Sequence, residues 1–78
     1  MQLDEEQLRL LRRLGDEAGS GSNRRPVMMA VVAREMLGHE RADAVLHSLY
    51  REGLVAFEPS QRGVGYLTMD GARVLGLR

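Results

Sequence analysis

A chain of 78 residues has room for one domain, and a domain of this size leaves little space for both a packed core and a deep substrate cavity. Hydrophobic residues make up 44% and charged residues 28% of the chain, as in folded proteins, and the absence of cysteine excludes disulfides and thiolate metal sites. The formal net charge is zero, whereas domains that bind nucleic acid are usually basic, so the overall charge gives no support to a nucleic-acid partner.

The first predicted element is a helix over residues 4–18, in which inward positions recur at a helical period. The positions on that side are Leu3, Gln7, Leu10, Leu11, Leu14 and Ala18. Asp4, with Gln7 three residues later, predicts a capping box at the start of the helix. Leu3 and Leu8 predict the hydrophobic staple that accompanies such a box.

A second helix is predicted within residues 26–37, after a loop rich in glycine and serine over residues 19–23. Pro26 suits the first turn of a helix, where its missing N–H costs nothing. A short extended stretch at Val27–Met28 before the helix is an alternative. Gly38 predicts the end of this helix.

A third helix is predicted over residues 40–52, about three residues after the second, so the two form a helix-turn-helix hairpin over residues 26–52. Its inward side is expected to hold Ala42, Val45, Leu46 and Leu49. Its opposite side is expected to hold Glu40, Ala44, His47 and Arg51. Gly53 is expected to end it.

A β-hairpin and a short helix complete the predicted chain. Two strands are predicted within residues 54–68 around a turn that contains Gly63, and their short connection makes them antiparallel. Thr68 is the predicted N-cap of a last helix over residues 69–76. The expected fold is a single domain over residues 1–78, of the α+β class and mostly α.

Four short motifs follow one another between residues 32 and 75. Residues 32–38 (VAREMLG) are similar to the first helix and turn of a DNA-binding hairpin, and residues 46–55 (LHSLYREGLV) match the pattern L-x-x-L-x-x-x-G-L-V. Arg62-Gly63 lies where a wing tip is expected, and residues 66–71 (YLTMDG) are similar to Y-x-L-T-x-x-G with one residue deleted. In this order the motifs resemble the winged helix-turn-helix family, including regulators of the MarR and PadR type. The resemblance implies a three-helix core, a two-stranded antiparallel wing and a short C-terminal helix.

The resemblance also implies that the third helix enters the major groove of double-stranded DNA, as the reader of a small transcriptional regulator. The predicted DNA-binding residues, on this helix, the wing and the loop before the second helix, are Arg24, Arg25, Arg41, Ala44, His47, Ser48, Arg51 and Arg62. Arg41 has the planar fork that pairs with guanine, and Ala44 can touch a thymine methyl group. His47 and Ser48 can bond a base edge or a phosphate, and the other arginines are expected at phosphates.

A winged-helix module that binds protein instead of DNA is the alternative function. The zero net charge and two acids near the presumed reading face, Glu40 and Asp43, favour it, and exposed arginines are commonly only solvated. A homodimer is the expected DNA-binding form, because one small module buries little surface on DNA. Leu8 and Leu11, on the flank of the first helix, are candidate contacts for the second copy.

No catalytic, metal or cofactor site is predicted, and we do not expect an enzyme. His39, Asp43 and His47 are spaced four residues apart and offer at best a partial metal coordination shell. Ser48 and Ser60 lack a matching base and orienting acid.

A membrane partner is also not expected. The longest apolar run, residues 27–33, is too short to span a bilayer. The acidic start of the sequence differs from a secretory signal, so we expect a cytoplasmic protein.

Overall fold

The computed structural model describes residues 2–19 and 25–76. Within these residues the chain forms four helices and two strands, in the order α1 (Glu5–Ala18), α2 (Met29–Leu37), α3 (His39–Arg51), β1 (Val55–Phe57), β2 (Gly65–Leu67) and α4 (Met69–Val74). The predicted order of elements and the mostly helical α+β class are therefore confirmed. Apart from Gly19, the predicted loop at residues 19–23 lies outside the described residues, as does Arg24.

The N-terminus of α1 carries the predicted capping box. The Gln7 N–H donates to Asp4 Oδ1 at 2.8 Å, and the Asp4 N–H donates to Gln7 Oε1 at 2.9 Å. These bonds satisfy two backbone donors at the start of the helix. Leu11 is fully buried in the protein's own core, so its predicted role in a homodimer surface with Leu8 is wrong.

The start of α2 differs from the prediction that Pro26 opens it. Val27 is extended and forms a bridge to Gly65 of β2, with hydrogen bonds of 2.8 and 3.0 Å in the two directions. These bonds hold Val27 outside helical geometry, and α2 begins at Met29. The alternative of a short extended stretch before the helix is confirmed at Val27. Gly38 ends α2 as predicted, but it alone separates α2 from α3, which begins one residue earlier than expected.

The hairpin and α4 contribute Val55, Leu67 and Ala72 to the core. The strands pair antiparallel in the register Val55↔Leu67, Ala56↔Tyr66 and Phe57↔Gly65. The Thr68 side chain accepts from the Gly71 N–H at 3.0 Å, so the predicted N-cap is confirmed, although α4 ends at Val74.

The core draws side chains from all of these elements. Its fully buried large members are Leu10, Leu11, Leu14, Met29, Leu49, Leu54 and Val55. The predicted inward side of α3 is confirmed, because its buried residues are Ala42, Val45, Leu46 and Leu49. Among residues 2–19 and 25–76, no charged or polar side chain is buried, so every described charge lies at or near the surface. None of the described helices has the length and apolar character needed to cross a membrane.

Candidate functional site

The side of α3 opposite the core is an exposed strip of four residues, Glu40, Ala44, His47 and Arg51. We call it the outward strip. Its members are three or four positions apart, so they follow one another along a single face of the helix. The prediction that these residues share the face opposite the core is confirmed. The strip offers two ionisable side chains of opposite sign, one imidazole and one methyl group.

One flank of α3 is closed by the first turn of α1. The Arg41 guanidinium forms an ion pair with Glu6, in which Arg41 Nε lies 3.4 Å from Glu6 Oε2 and Nη2 contacts the other carboxylate oxygen. Two turns along α3, the half-buried Ser48 hydroxyl accepts from Gln7 Nε2 at 2.9 Å and donates to the Val45 carbonyl at 2.6 Å. Arg41 and Ser48 are predicted DNA contacts, and in the structure their polar atoms contact α1 and the backbone of α3.

The ion pair with Glu6 also acts on the protonation of Arg41. The hydrogen bond that Arg41 donates to Glu6 is the largest cause that raises the pKa of Arg41, followed by the negative charge of Glu6 and, more weakly, that of Asp4. The positive charge of Arg41 is therefore held but locally balanced by two acids of the α1 N-terminus.

The opposite flank of α3 borders a groove that lies between α2, α3 and the turn of the β-hairpin. This groove has a volume of about 470 Å³ and is lined by Ala30, Arg34, Asp43, Leu46, His47, Phe57, Arg62 and Gly63. We call it the hairpin groove. Its floor is apolar and its rim carries two arginines, one histidine and one aspartate. With histidine neutral, the rim has a net charge of +1.

Arg34 is the groove arginine that the sequence analysis did not select. It follows the buried pair Val32 and Ala33 on α2 and is itself exposed, so its outward direction could be inferred from the helical period. The position of Arg34 beside His47 and Arg62 could not be inferred from the sequence, because it depends on how α2 packs against α3 and the hairpin. Arg62 was predicted at the wing tip, and the structure places it in the same groove lining.

The turn that carries Arg62 is tied to the start of α2. The Gly63 carbonyl accepts a hydrogen bond from the Ala30 N–H at 3.1 Å, and Gly65 forms the two bonds with Val27 described above. These contacts fix the backbone next to Arg62 relative to the helix that carries Arg34. The separation of the two arginines is therefore set by the fold rather than by a free loop.

Aromatic side chains pack together at the junction of α3 and β1. The Tyr50 and Phe57 rings have centroids 5.1 Å apart, and the His47 ring meets Tyr50 edge-on at 6.0 Å. Aromatic pairs at such distances attract one another and restrict ring rotation. His47 is thereby supported at the place where the outward strip and the hairpin groove meet.

A hydrogen-bonded carboxylate stabilises the β-hairpin near its turn. The Tyr66 hydroxyl donates to Glu58 Oε2 at 2.8 Å, and the Ser60 hydroxyl donates to Glu58 Oε1 at 2.9 Å. The bond from Tyr66, followed by those from Ser60, lowers the pKa of Glu58 below its ordinary value, and the same carboxylate raises the pKa of Tyr66. Both bonds stabilise the ionised form of the Glu58 carboxylate, and they link it to Ser60 and Tyr66 within the hairpin.

We expect Tyr66→Phe to raise the pKa of Glu58 towards its ordinary value, because the largest cause of the depression is removed while the bonds from Ser60 stay. A titration of the Glu58 side-chain carboxyl carbon by NMR measures this pKa. The lowered pKa adds stability at pH values above about 4.3, the unfolded pKa of glutamate, and this stability is lost as the pH falls through the folded value. Tyr50→Phe is the control and should leave the pKa of Glu58 unchanged; an equal change in both variants would contradict the assignment.

The other described residues of the predicted DNA-binding set lie outside the hairpin groove. Arg25 is exposed, and its backbone N–H donates to the Ala18 carbonyl at 3.0 Å at the end of α1. Ala44 and Arg51 lie on the outward strip, and among the predicted residues that the structure describes only His47 and Arg62 join Arg34 at the groove. In the part of the chain that the structure describes, no group of three histidine, aspartate or glutamate side chains is arranged to hold a metal ion.

Comparisons with known proteins do not place this chain in a family. No protein-family model, curated protein or solved structure matches this chain. The resemblance to the winged helix-turn-helix family therefore stays a prediction from the motifs of the sequence.

Proposed function

We propose that this chain is a winged helix-turn-helix domain that binds double-stranded DNA, as a small transcriptional regulator acting in the cytoplasm. In this proposal α3 lies in the major groove, α2 braces it, and the β-hairpin is the wing. The helix pair with a one-residue turn, followed by a two-stranded antiparallel hairpin, supports it.

The observation that carries the proposal is the convergence of Arg34 and Arg62 beside the outward strip. The two arginines come from α2 and from the hairpin, and both line the groove that His47 shares with the strip. A helix lying in the major groove has phosphates on either side of it, and arginine is well suited to bind them. Arg34 and Arg62 would therefore position the domain on the backbone while the outward strip faces the bases.

In this proposal the residues of the outward strip contact different parts of the DNA. Ala44 and His47, near the middle of α3, are placed for base edges, whereas Arg51 in the last turn is placed for a phosphate. Glu40 in the first turn is the only acid of the strip, and it can accept a hydrogen bond from a cytosine amino group. One module of this kind covers only about 600–1,000 Å² of surface on DNA, so we propose that two copies act on one site.

The test is the salt dependence of binding to a labelled duplex of about 20 base pairs, followed by fluorescence anisotropy. For each bound copy, three phosphate contacts, from Arg34, Arg51 and Arg62, should give a slope of about −2.7 in a plot of log affinity against log salt. Nonspecific affinity is expected in a range of about 1–100 micromolar. Absence of binding at about 50 mM salt with tens of micromolar folded protein would overturn the proposal.

Exposed apolar side chains favour a second candidate, a winged-helix module that binds protein and not DNA. Met28 and Val31 near the start of α2 are 62% and 44% exposed, and Met69 on α4 is 72% exposed. Burial of such side chains against a protein partner would be favourable. An intact fold without DNA binding at low salt would make this candidate the better one.

A further inference from the structure

The first turn of α1 is held against α3 by a short chain of polar contacts. The Gln7 amide accepts from the Asp4 N–H through its oxygen and donates to the Ser48 hydroxyl through its nitrogen. Both ends of this amide are therefore engaged, which fixes the orientation of the side chain. Glu6 precedes Gln7 on the same turn, and this arrangement places its carboxylate at Arg41.

Arg41 lies in the first turn of α3, the part of a recognition helix that contacts base edges, and Glu6 occupies its guanidinium. Both carboxylate oxygens take part, so the planar fork that would pair with a guanine or a phosphate already has a matching anion. The Arg41 and Glu6 side chains are 57% and 38% exposed. An ion pair as exposed as this is worth at most about 1 kcal/mol, so nucleic acid and Glu6 compete for Arg41 on similar terms.

We infer that Glu6 lowers the DNA affinity of this domain by holding Arg41 on α1, away from the nucleic acid. The inference rests on the proposed DNA binding and assigns a role to a residue outside the helix-turn-helix. Glu6 acts through Arg41 and is therefore a positioning residue. In the unaltered protein, Arg41 adds less to the DNA affinity than it would without Glu6, and removal of Glu6 releases the Arg41 guanidinium for the DNA.

The test compares Glu6→Gln with Glu5→Gln, two variants that lose the same charge from the same turn of α1. Glu5 is exposed and is the matched control for the general effect of removing an acid. We expect E6Q to bind a duplex about two- to fivefold more tightly than E5Q, which is the range that an exposed ion pair allows. Arg41→Ala should weaken binding by a smaller factor in the unaltered protein than in E6Q, because the ion pair with Glu6 offsets part of the contact that Arg41 can make with DNA.

The double variant E6Q/R41A distinguishes release of Arg41 from other effects of the substitution. Its affinity should equal that of E5Q/R41A, which has the same net charge, whereas a tightening that persists without Arg41 would overturn the inference. Equal affinities of E6Q and E5Q, in a series in which the unaltered protein binds, would overturn the inference and leave the proposed function standing. No binding by any of these proteins would overturn the proposed function itself. Circular dichroism and thermal unfolding of each variant check that the fold is kept.

Discussion

Gly71→Ala should lower the free energy of unfolding by about 3 kcal/mol, although alanine is the better helix former. A Cβ atom at position 71 would lie 2.2 Å from the Leu54 carbonyl oxygen and 2.8 Å from Leu67 Cδ1. The Leu54 carbonyl cannot move away cheaply, because it is backbone and accepts the Thr68 N–H at 3.1 Å. The steric cost therefore outweighs the gain of about 1 kcal/mol that alanine brings to a helix.

Urea denaturation followed by circular dichroism measures this effect. The total stability expected for 78 residues is about 4–12 kcal/mol, so the loss would be a large part of it. Met69→Ala is the control, because this side chain lies on the same helix and is 72% exposed, and its effect should stay within about 0.5 kcal/mol. If Gly71→Ala is as stable as the unaltered protein, α4 does not pack on Leu54 as described.

The double substitution Arg34→Ala/Arg62→Ala should weaken duplex binding by about a hundredfold at low salt. Each charge-assisted contact to a phosphate is worth about 1.5 kcal/mol, which corresponds to a factor of about ten. The slope of log affinity against log salt should become shallower by about 1.8, since two phosphate contacts are lost. Because phosphate contacts carry no sequence information, duplexes of different sequence should be affected alike.

Arg9→Ala/Arg12→Ala is the matched control for net charge. It removes the same two positive charges from exposed positions on α1. The proposed geometry predicts that this control loses less than about threefold in affinity for the duplex, because salt screens charges that act on the DNA only at long range. Equal losses of affinity in the two double variants would mean that binding depends on the overall charge and that the hairpin groove has no special role.

Local signals were sufficient for most of the helices and for the hairpin. The capping box of Asp4 and Gln7, the N-cap at Thr68 and the end of α2 at Gly38 each depend on groups within about one helical turn. The inward side of α3 likewise follows from a period of 3.6 residues. Such features are determined by neighbours in the chain, so the sequence alone predicts them.

The start of α2 and the environment of the candidate site were decided by tertiary structure. Val27 is extended because its hydrogen-bonding groups pair with Gly65, and this contact overrides the preference of Pro26 for a first helical turn. Arg41 meets Glu6, which lies 35 positions away in the chain. Arg34 and Arg62 share a groove only because the hairpin folds back onto α2. Helical periodicity indicates that a side chain points outward, whereas its partner there depends on which distant element packs beside it.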